Sequence, residues 1–426
     1  MRTEPLARRA SQRALRTLFA LCALVVAGCA SEPLVFEAAP AQPTARIDRS
    51  IAFLHSAEFR DRQETLEPYG NKYYVPLKIG EASDRALRAT YPRLFADARE
   101  ASPTDTPAST GGAPRDVPLL EPSIVGLRYL NASHRMEGPF YSQVEYRFRL
   151  SDAGGAAVAE WTVRGFGRFP SDVDRQPRTK DSPPAPRGEQ GYLIEAPRRA
   201  VEDGVDAFTH SFNRVPELIR WTRGEGTADA NAPLSLLSTK GALSSSEAVE
   251  AGYPGVFTMT VERAALPRPS TPPSEERAPD PPLIALRITL RNEAERRLAL
   301  DPADIEWIPE GAAALEPIPP AVAAALVTRL PFGLAVAPGV GAAALPALFA
   351  ALISAAEVTR HQSEYAAWSA AATSQTLADG VTGPRATTSG LVFFPRPDAA
   401  GGVVVVRVVD LDAAVRYTVR IPVASR

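Results

Sequence analysis

Cysteine is almost missing: the 426-residue chain holds two, Cys22 and Cys29. Both fall in the first 29 positions, so the body of the chain has no thiol for a disulfide, a nucleophile or a cysteine metal site. Histidine is nearly as scarce. His55, His134, His210 and His361 stand far apart, and none has a second His at metal-ligand spacing. Lysine occurs only at positions 72, 78, 180 and 240, so nearly all the positive charge is arginine. With abundant Ala and Pro, that bias points to a GC-rich genome rather than to a chemistry. Three signatures are absent: the G-x-S-x-G elbow, the phosphate-cradling G-x-x-x-x-G-K-[ST] and the dinucleotide G-x-G-x-x-G. The glycine-rich points fall in turns instead, and no internal repeat is found.

What is present begins at the N-terminus. Arg2, Arg8, Arg9, Arg13 and Arg16 face a single Glu4, and thirteen uncharged residues follow from Thr17 to Cys29. A basic region followed by a short apolar core has the form of an export signal. Thirteen residues fall well short of the roughly 20 that a helix needs to cross a bilayer, so a spanning anchor is not expected. Removing residues 1–28 takes five Arg and one Glu, leaving 42 basic against 48 acidic residues. That balance is unsuited to a phosphate backbone, and no nucleic-acid partner is expected.

The apolar core ends in Val26-Ala27-Gly28-Cys29, which resembles the lipobox of bacterial lipoproteins. Small residues fit a narrow peptidase cleft, and the Cys29 thiol is the one group there that accepts a thioether-linked diacylglycerol. The resemblance implies cleavage between Gly28 and Cys29 and acylation of Cys29. The alternative is an ordinary secretory signal in which Cys29 is incidental. Arg8-Arg9 lacks the rest of a twin-arginine pattern and counts as signal charge. Several acyl chains on one residue anchor a protein stably. Ala30 and Ser31 stand where an inner-membrane retention signal places Asp, so resemblance to Gram-negative lipoproteins implies the outer membrane, facing the periplasm.

Pro/Ser/Gly-rich stretches at 32–45, 102–118, 170–191 and 267–282, with a softer polar run at 224–248, divide the mature chain. Residues 29–45 read as a flexible stalk, 46–224 as one domain, 225–252 as a linker and 253–426 as a second domain. Within the first domain, residues 51–54 and 123–130 read as strands, and residues 80–90 as a helix closed by Pro92. Val144, Tyr146, Phe148 and Leu150 alternate with charged residues, Asp152 to Gly155 turns the chain, and Ala157, Ala159, Trp161 and Val163 alternate on the return. Pro197 opens a helix whose Val201, Val205, Phe208 and Phe212 form an apolar stripe that can cover the hairpin. The layout predicts a two-layer α+β domain. It resembles the small α+β domains of periplasmic auxiliary lipoproteins, including those that accompany ABC-type transporters.

The second domain reads as short strands with polar turns, at 256–262, 283–291, 298–300, 305–307, 390–395, 403–410 and 417–423. Leu286 to Leu290 followed by Asn292, then Leu298, Leu300 and Asp304, and later Gly390 to Pro395, resemble the bacterial immunoglobulin-like domains of many lipoproteins. The resemblance implies a β-sandwich, here with a helical insert at 317–376. Within the insert, residues 330–356 carry no charge. Pro331, Pro338 and Pro346 break that run, and the flanking strands belong to one sandwich, so a single membrane crossing is not expected. Two readings remain: a helical hairpin, 319–330 against 346–376, packed on its own domain, or the same hairpin dipping into a membrane or partner. The first is favoured. The overall fold class is therefore α+β.

Candidate chemistry is thin. Asp301, Asp304 and Glu306, with Glu293, offer oxygen ligands for Ca²⁺, but a capped turn entering a strand is the favoured reading because no calcium-loop spacing is present. His210 lies off the apolar stripe of its helix and reads as solvent-exposed. Tyr141, Tyr146, Phe148, Trp161, Phe166 and Phe169 form either a ligand platform or, as favoured, core. No catalytic, cofactor or metal residue is nominated. The sequence predicts a non-catalytic structural or interaction protein with the membrane and an envelope protein complex as partners. A transport-associated binder of a lipid or small ligand and, less favoured, an envelope hydrolase are the alternatives.

Overall fold

The computed structural model describes residues 33–66, 75–101, 116–131, 140–169, 189–226, 230–244, 247–267, 283–327, 355–397 and 401–424. Gly28, Cys29 and residues 330–354 of the uncharged run 330–356 lie outside the described residues. Order begins earlier than the composition implies. Leu34, inside the expected stalk, accepts from Lys78 N at 3.0 Å and donates to Pro76 O at 2.8 Å. Phe36 and Ala41 are buried in the first core. Ala41 N donates to Thr90 Oγ1 at 3.1 Å, and Ala39 N to Glu202 Oε1 at 2.9 Å. Residues 34–41 are thus packed chain, because two apolar side chains among prolines suffice to tie an extended segment down.

The first domain runs β1 (Ile47–Phe53), α1 (Ala57–Arg60), β2 (Glu64–Leu66), β3 (Val75–Leu77), α2 (Ile79–Leu94), β4 (Phe95–Glu100), β5 (Leu119–Asn131), β6 (Phe140–Ser151), β7 (Ala157–Phe169), α3 (Glu189–Ser211) and α4 (Pro216–Arg223). Its main sheet has the order β4-β1-β5-β6-β7, with β1 parallel to both neighbours and β5 to β7 antiparallel. The hairpin is where the alternation places it, and Asp152 closes its turn by accepting from Ala156 N at 2.8 Å. Val144, Tyr146, Phe148, Trp161 and Val163 meet Val201, Val205, Phe208 and Phe212 in one core. Phe148 and Phe208 approach to 4.5 Å between ring centroids. Burial of each such side chain contributes about 1.5–3 kcal/mol. Gly165 lets α3 sit on β7: a Cβ there would lie 2.0 Å from Ala200 O.

Two local expectations change, and one strand was not expected. Helix α2 runs past Pro92 to Leu94, because its buried face continues through Tyr91 and Leu94 while the proline removes one hydrogen bond near the helix end. Helix α3 begins at Glu189, so Pro197 lies inside it rather than opening it. Strand β4 carries the charged sequence FADARE at the sheet edge with Phe95 as its buried residue, a composition that suits an edge and hides a strand.

The second domain holds β8 (Ser238–Lys240), β9 (Val249–Tyr253), β10 (Phe257–Ala264), β11 (Leu283–Asn292), β12 (Leu298–Pro309), α5 (Pro320–Val327), α6 (Ala355–Gln375), β13 (Gly380–Thr382), β14 (Thr387–Pro395), β15 (Gly402–Asp410) and β16 (Val415–Val423). Two sheets, β14-β11-β10-β9-β8 and β13-β12-β15-β16, enclose a core around Trp307, Phe394, Val404 and Val419. This is the β-sandwich of the α+β reading. Residues 298–300 and 305–307 are one strand with a register shift between Leu300 and Ile305.

The expected linker at 225–252 is part of the sandwich. It contains β8 and the start of β9, and Ala230, Ala232 and Leu243 bond along the outer edge of β16. Leu243 is fully buried in the core, one apolar anchor in a polar run.

Helices α5 and α6 pack on the outer face of β11 and β14 through Ala323, Ala324, Tyr365, Trp368 and Ala372 against Leu283, Ala285, Leu391 and Phe393. The described part of the insert therefore lies on its own domain. Helix α6 also meets the first domain, where the Tyr365 and Tyr141 hydroxyls are hydrogen-bonded and Arg168 lies 5.7 Å over the Tyr365 ring. Helix α6 thus touches both the sandwich and the β6–β7 hairpin.

Candidate functional site

The described residues bring together two polar constellations. The first is centred on His55, which leaves β1 just before Ser56 caps α1 through its Oγ. Asp84, Arg88 and Tyr91 share one face of α2 at spacings of four and three. His55 Nδ1 lies 2.6 Å from Asp84 Oδ1, and Nε2 lies 3.0 Å from Tyr91 Oη. Arg88 Nε donates to both Asp84 oxygens, at 2.9 and 3.0 Å, and its other nitrogens bond Glu100 at the end of β4.

Burial holds the His55 pKa below its usual value, against the opposing pull of Asp84. Burial alone would push Asp84 up, but hydrogen bonds from His55 and Arg88 keep it below the usual carboxylate range. An ionised carboxylate only accepts, so Nδ1 carries the imidazole proton and Nε2 accepts from the Tyr91 hydroxyl. The order carboxylate, imidazole, hydroxyl is that of a proton relay. Here the hydroxyl belongs to Tyr91, which is fully buried with its ring 4.7 Å from Phe53 and 5.8 Å from Phe208. A nucleophile sealed into a core meets no substrate, so the set acts as a brace between β1, α2 and β4.

The second constellation is the seam between the domains. Helix α4 is opened by Pro216 and closed by Gly224 in the left-handed conformation. It presents Ile219 to Ala299, Val409, Leu411 and Ala414 of the sandwich. Arg223 donates to Leu411 O at 2.7 Å and Asp412 O at 2.9 Å. Arg416 pairs with both Glu217 oxygens, at 3.0 and 2.9 Å. Arg214 bonds Asp379 and lies 3.3 Å from Asp301 Oδ2.

Asp304 is half-buried in this seam, near Asp301, Arg407, Arg416 and Arg214. Burial first, and then the Asp301 charge, push its pKa up to about 6. Burial and Asp379 also raise Asp301.

The nominated carboxylates separate accordingly. Asp301 Oδ1 accepts from Ala303 N at 2.8 Å, a local turn cap, and Glu306 takes both Arg407 nitrogens at 3.0 and 3.2 Å. Glu293 instead bonds Thr258. Among the described residues no three metal-ligating side chains converge. The aromatic set divides between two faces: Tyr146, Phe148 and Trp161 are core, whereas Tyr141 stacks on Phe166 at 5.7 Å beneath α6. His210 is partly exposed, 3.6 Å from Asp206. The sequence search missed the His55 brace because its histidine and carboxylate are 29 positions apart; its legible part is the i,i+4 pair Asp84 and Arg88.

No protein-family model matches the chain, and comparison with curated proteins finds no match. Among solved structures it is similar to the yjhA protein of Bacillus subtilis, at 10% identity over 43% of this chain and 96% of that one, with a TM-score of 0.21. It is also similar to ycdA of Bacillus subtilis, a candidate lipoprotein, at 11% identity over 39% of this chain and 37% of that one, with a TM-score of 0.19. A third is the hypothetical protein CT253 of Chlamydia trachomatis, at 7% identity over 42% of this chain and 99% of that one, with a TM-score of 0.22.

Proposed function

We propose that this chain is a lipid-anchored, non-catalytic structural or interaction protein of the bacterial envelope. Acylated Cys29 holds it on the outer membrane, facing the periplasm, with an envelope protein complex as partner. The observation that carries the non-catalytic part is where the reactive groups go. The one carboxylate, imidazole and hydroxyl series among the described residues has its imidazole and hydroxyl closed inside a core. The carboxylates and arginines of the seam join the two domains. The lipobox at Val26 to Cys29 supports the anchor.

The interior of the first domain bears on the ligand-binding alternative. Phe95, Phe148, Trp161, Phe208, Phe212 and Trp221 fill the space between sheet and helices with ring-to-ring contacts. A lipid carrier needs an apolar cavity of roughly 300–1,000 Å³ where these rings stand.

Two measurements test the proposal. Cys29→Ala is expected to abolish incorporation of radiolabelled fatty acid and leave uncleaved precursor; a mutant labelled and processed as before would remove the anchor. In-cell cross-linking of the acylated chain is expected to give a discrete larger species, and a chain that stays monomeric speaks against a complex.

A further inference from the structure

We infer that the anchor holds one particular end of the first domain, the end carrying Leu34, Val35 and the β2–β3 hairpin, against the bilayer surface. The inference rests on the acylation of Cys29 and adds an orientation to it. The argument is one of lengths. Leu34 is fixed to the hairpin by its two backbone bonds around Leu77, with Phe36 buried just behind it. Five residue steps separate Leu34 from Cys29, a reach of at most about 18 Å when fully extended. A fold of about 190 residues has a radius of gyration near 16 Å and so a width about twice that reach. The tether is too short to let the domain turn another end to the membrane. A stalk running free to residue 45 would have permitted any orientation; the packing of 34–41 removes that freedom.

The surface at this end fits contact with lipid headgroups rather than attraction to a charged bilayer. Val35 is an exposed apolar residue, 45% accessible, one position beyond the fixed Leu34. Among the described residues, several nearby cations are matched by carboxylates of the same chain: Lys78 with Glu81 at 3.5 Å, Arg85 with Glu81 and with Glu37, and Arg62 with Glu64 at 2.8 Å. Proximity imposed by the anchor, not net positive charge, brings this end to the membrane. The contact is therefore expected on uncharged phosphatidylcholine vesicles as well as on anionic ones.

The test uses the acylated full chain. Once Cys22 leaves with the signal and Cys29 is acylated, an introduced cysteine is the sole free thiol. Val35→Cys and, as a control on the second domain, Leu236→Cys, which is 59% exposed, are labelled with a bimane fluorophore. Each is reconstituted into phosphatidylcholine vesicles doped with a nitroxide-bearing phospholipid. The expected result is loss of fluorescence at position 35 and none at 236. A Gly/Ser spacer of about 20 residues inserted between Ser31 and Glu32, with an average span of about 25 Å, should restore the signal at 35 with acylation unchanged.

Mass measurement of the acylated N-terminus separates the two ideas. Absence of lipid on Cys29 refutes the anchor and the orientation together. An acylated protein with position 35 unquenched, or with both positions quenched alike, refutes the orientation alone. Quenching that survives the spacer shows intrinsic membrane affinity and refutes the tether as its cause.

Discussion

His55 illustrates how much a single residue's role depends on contacts that no local pattern records. Burial keeps its imidazole neutral, and the Tyr91 hydroxyl satisfies the nitrogen that Asp84 does not reach. Tyr91→Phe keeps the ring packing and leaves Nε2 buried without a donor. The expected cost is about 1–3 kcal/mol, read as a lowered urea midpoint with unchanged slope; an unchanged midpoint would mean that the bond contributes nothing. The sign with pH follows from the lowered folded pKa. Below pH 6.5 the unfolded chain takes up the proton first, so this group's contribution falls as pH drops from there toward the folded value. In the sequence, Asp84 and Arg88 could be seen to share a helix face, but His55 looked isolated. By contrast, Asn292 was legible as a strand terminus, and its side chain closes the following turn by donating to Arg296 O and Gly383 O and accepting from Ala294 N.

At the scale of elements, periodicity was readable wherever one face of a strand or helix is buried, as in β6, β7 and α3. It failed where both faces or neither are covered. The run Leu391-Val392-Phe393-Phe394 does not alternate in polarity because Val392 and Phe394 face the sandwich core while Leu391 and Phe393 lie under α6. Residues 225–252 misled for the opposite reason: a polar stretch is held by backbone bonds and a single buried leucine.

Gly390, quoted in the sequence as part of an immunoglobulin-like step, has a steric reason. The chain leaving α6 crosses so close that a Cβ at 390 would lie 2.3 Å from Leu377 Cα, and Leu377 N bonds Leu391 O beside it. Gly390→Ala must displace either backbone. A destabilisation of about 1–3 kcal/mol is expected, with the added signature that α6 detaches and amides of residues 365–376 exchange faster. Wild-type stability and exchange would show that the crossing yields without strain.

For the whole molecule, the consequential contacts are those between domains, and sequence reading had no means to find them. Their partners are up to 224 positions apart, as in Tyr141 with Tyr365. The domains are tied together by α4 against the turn after β15, by α6 against the outer face of β6 and β7, and by Glu316 with Arg128 and Arg164. The first contains a group whose charge works against it. Asp304 is pushed up to about 6 by burial and by Asp301, with Arg407, Arg416 and Arg214 facing it from the other elements of the seam. A carboxyl whose folded pKa is raised adds stability that is fully present below its unfolded value, near 3.8, and is lost as pH rises through about 6. At neutral pH the ionised form is the strained one. Asp304→Asn keeps the shape and removes the titration, so it should be more stable than the parent at about pH 7.5, by a smaller margin near pH 4.5, and equal to it only below 3.8. His55 is present in both proteins and cancels from the difference. Chemical denaturation of the two at both pH values decides the matter: a gap of the same size at each would show that Asp304 does not titrate in the seam.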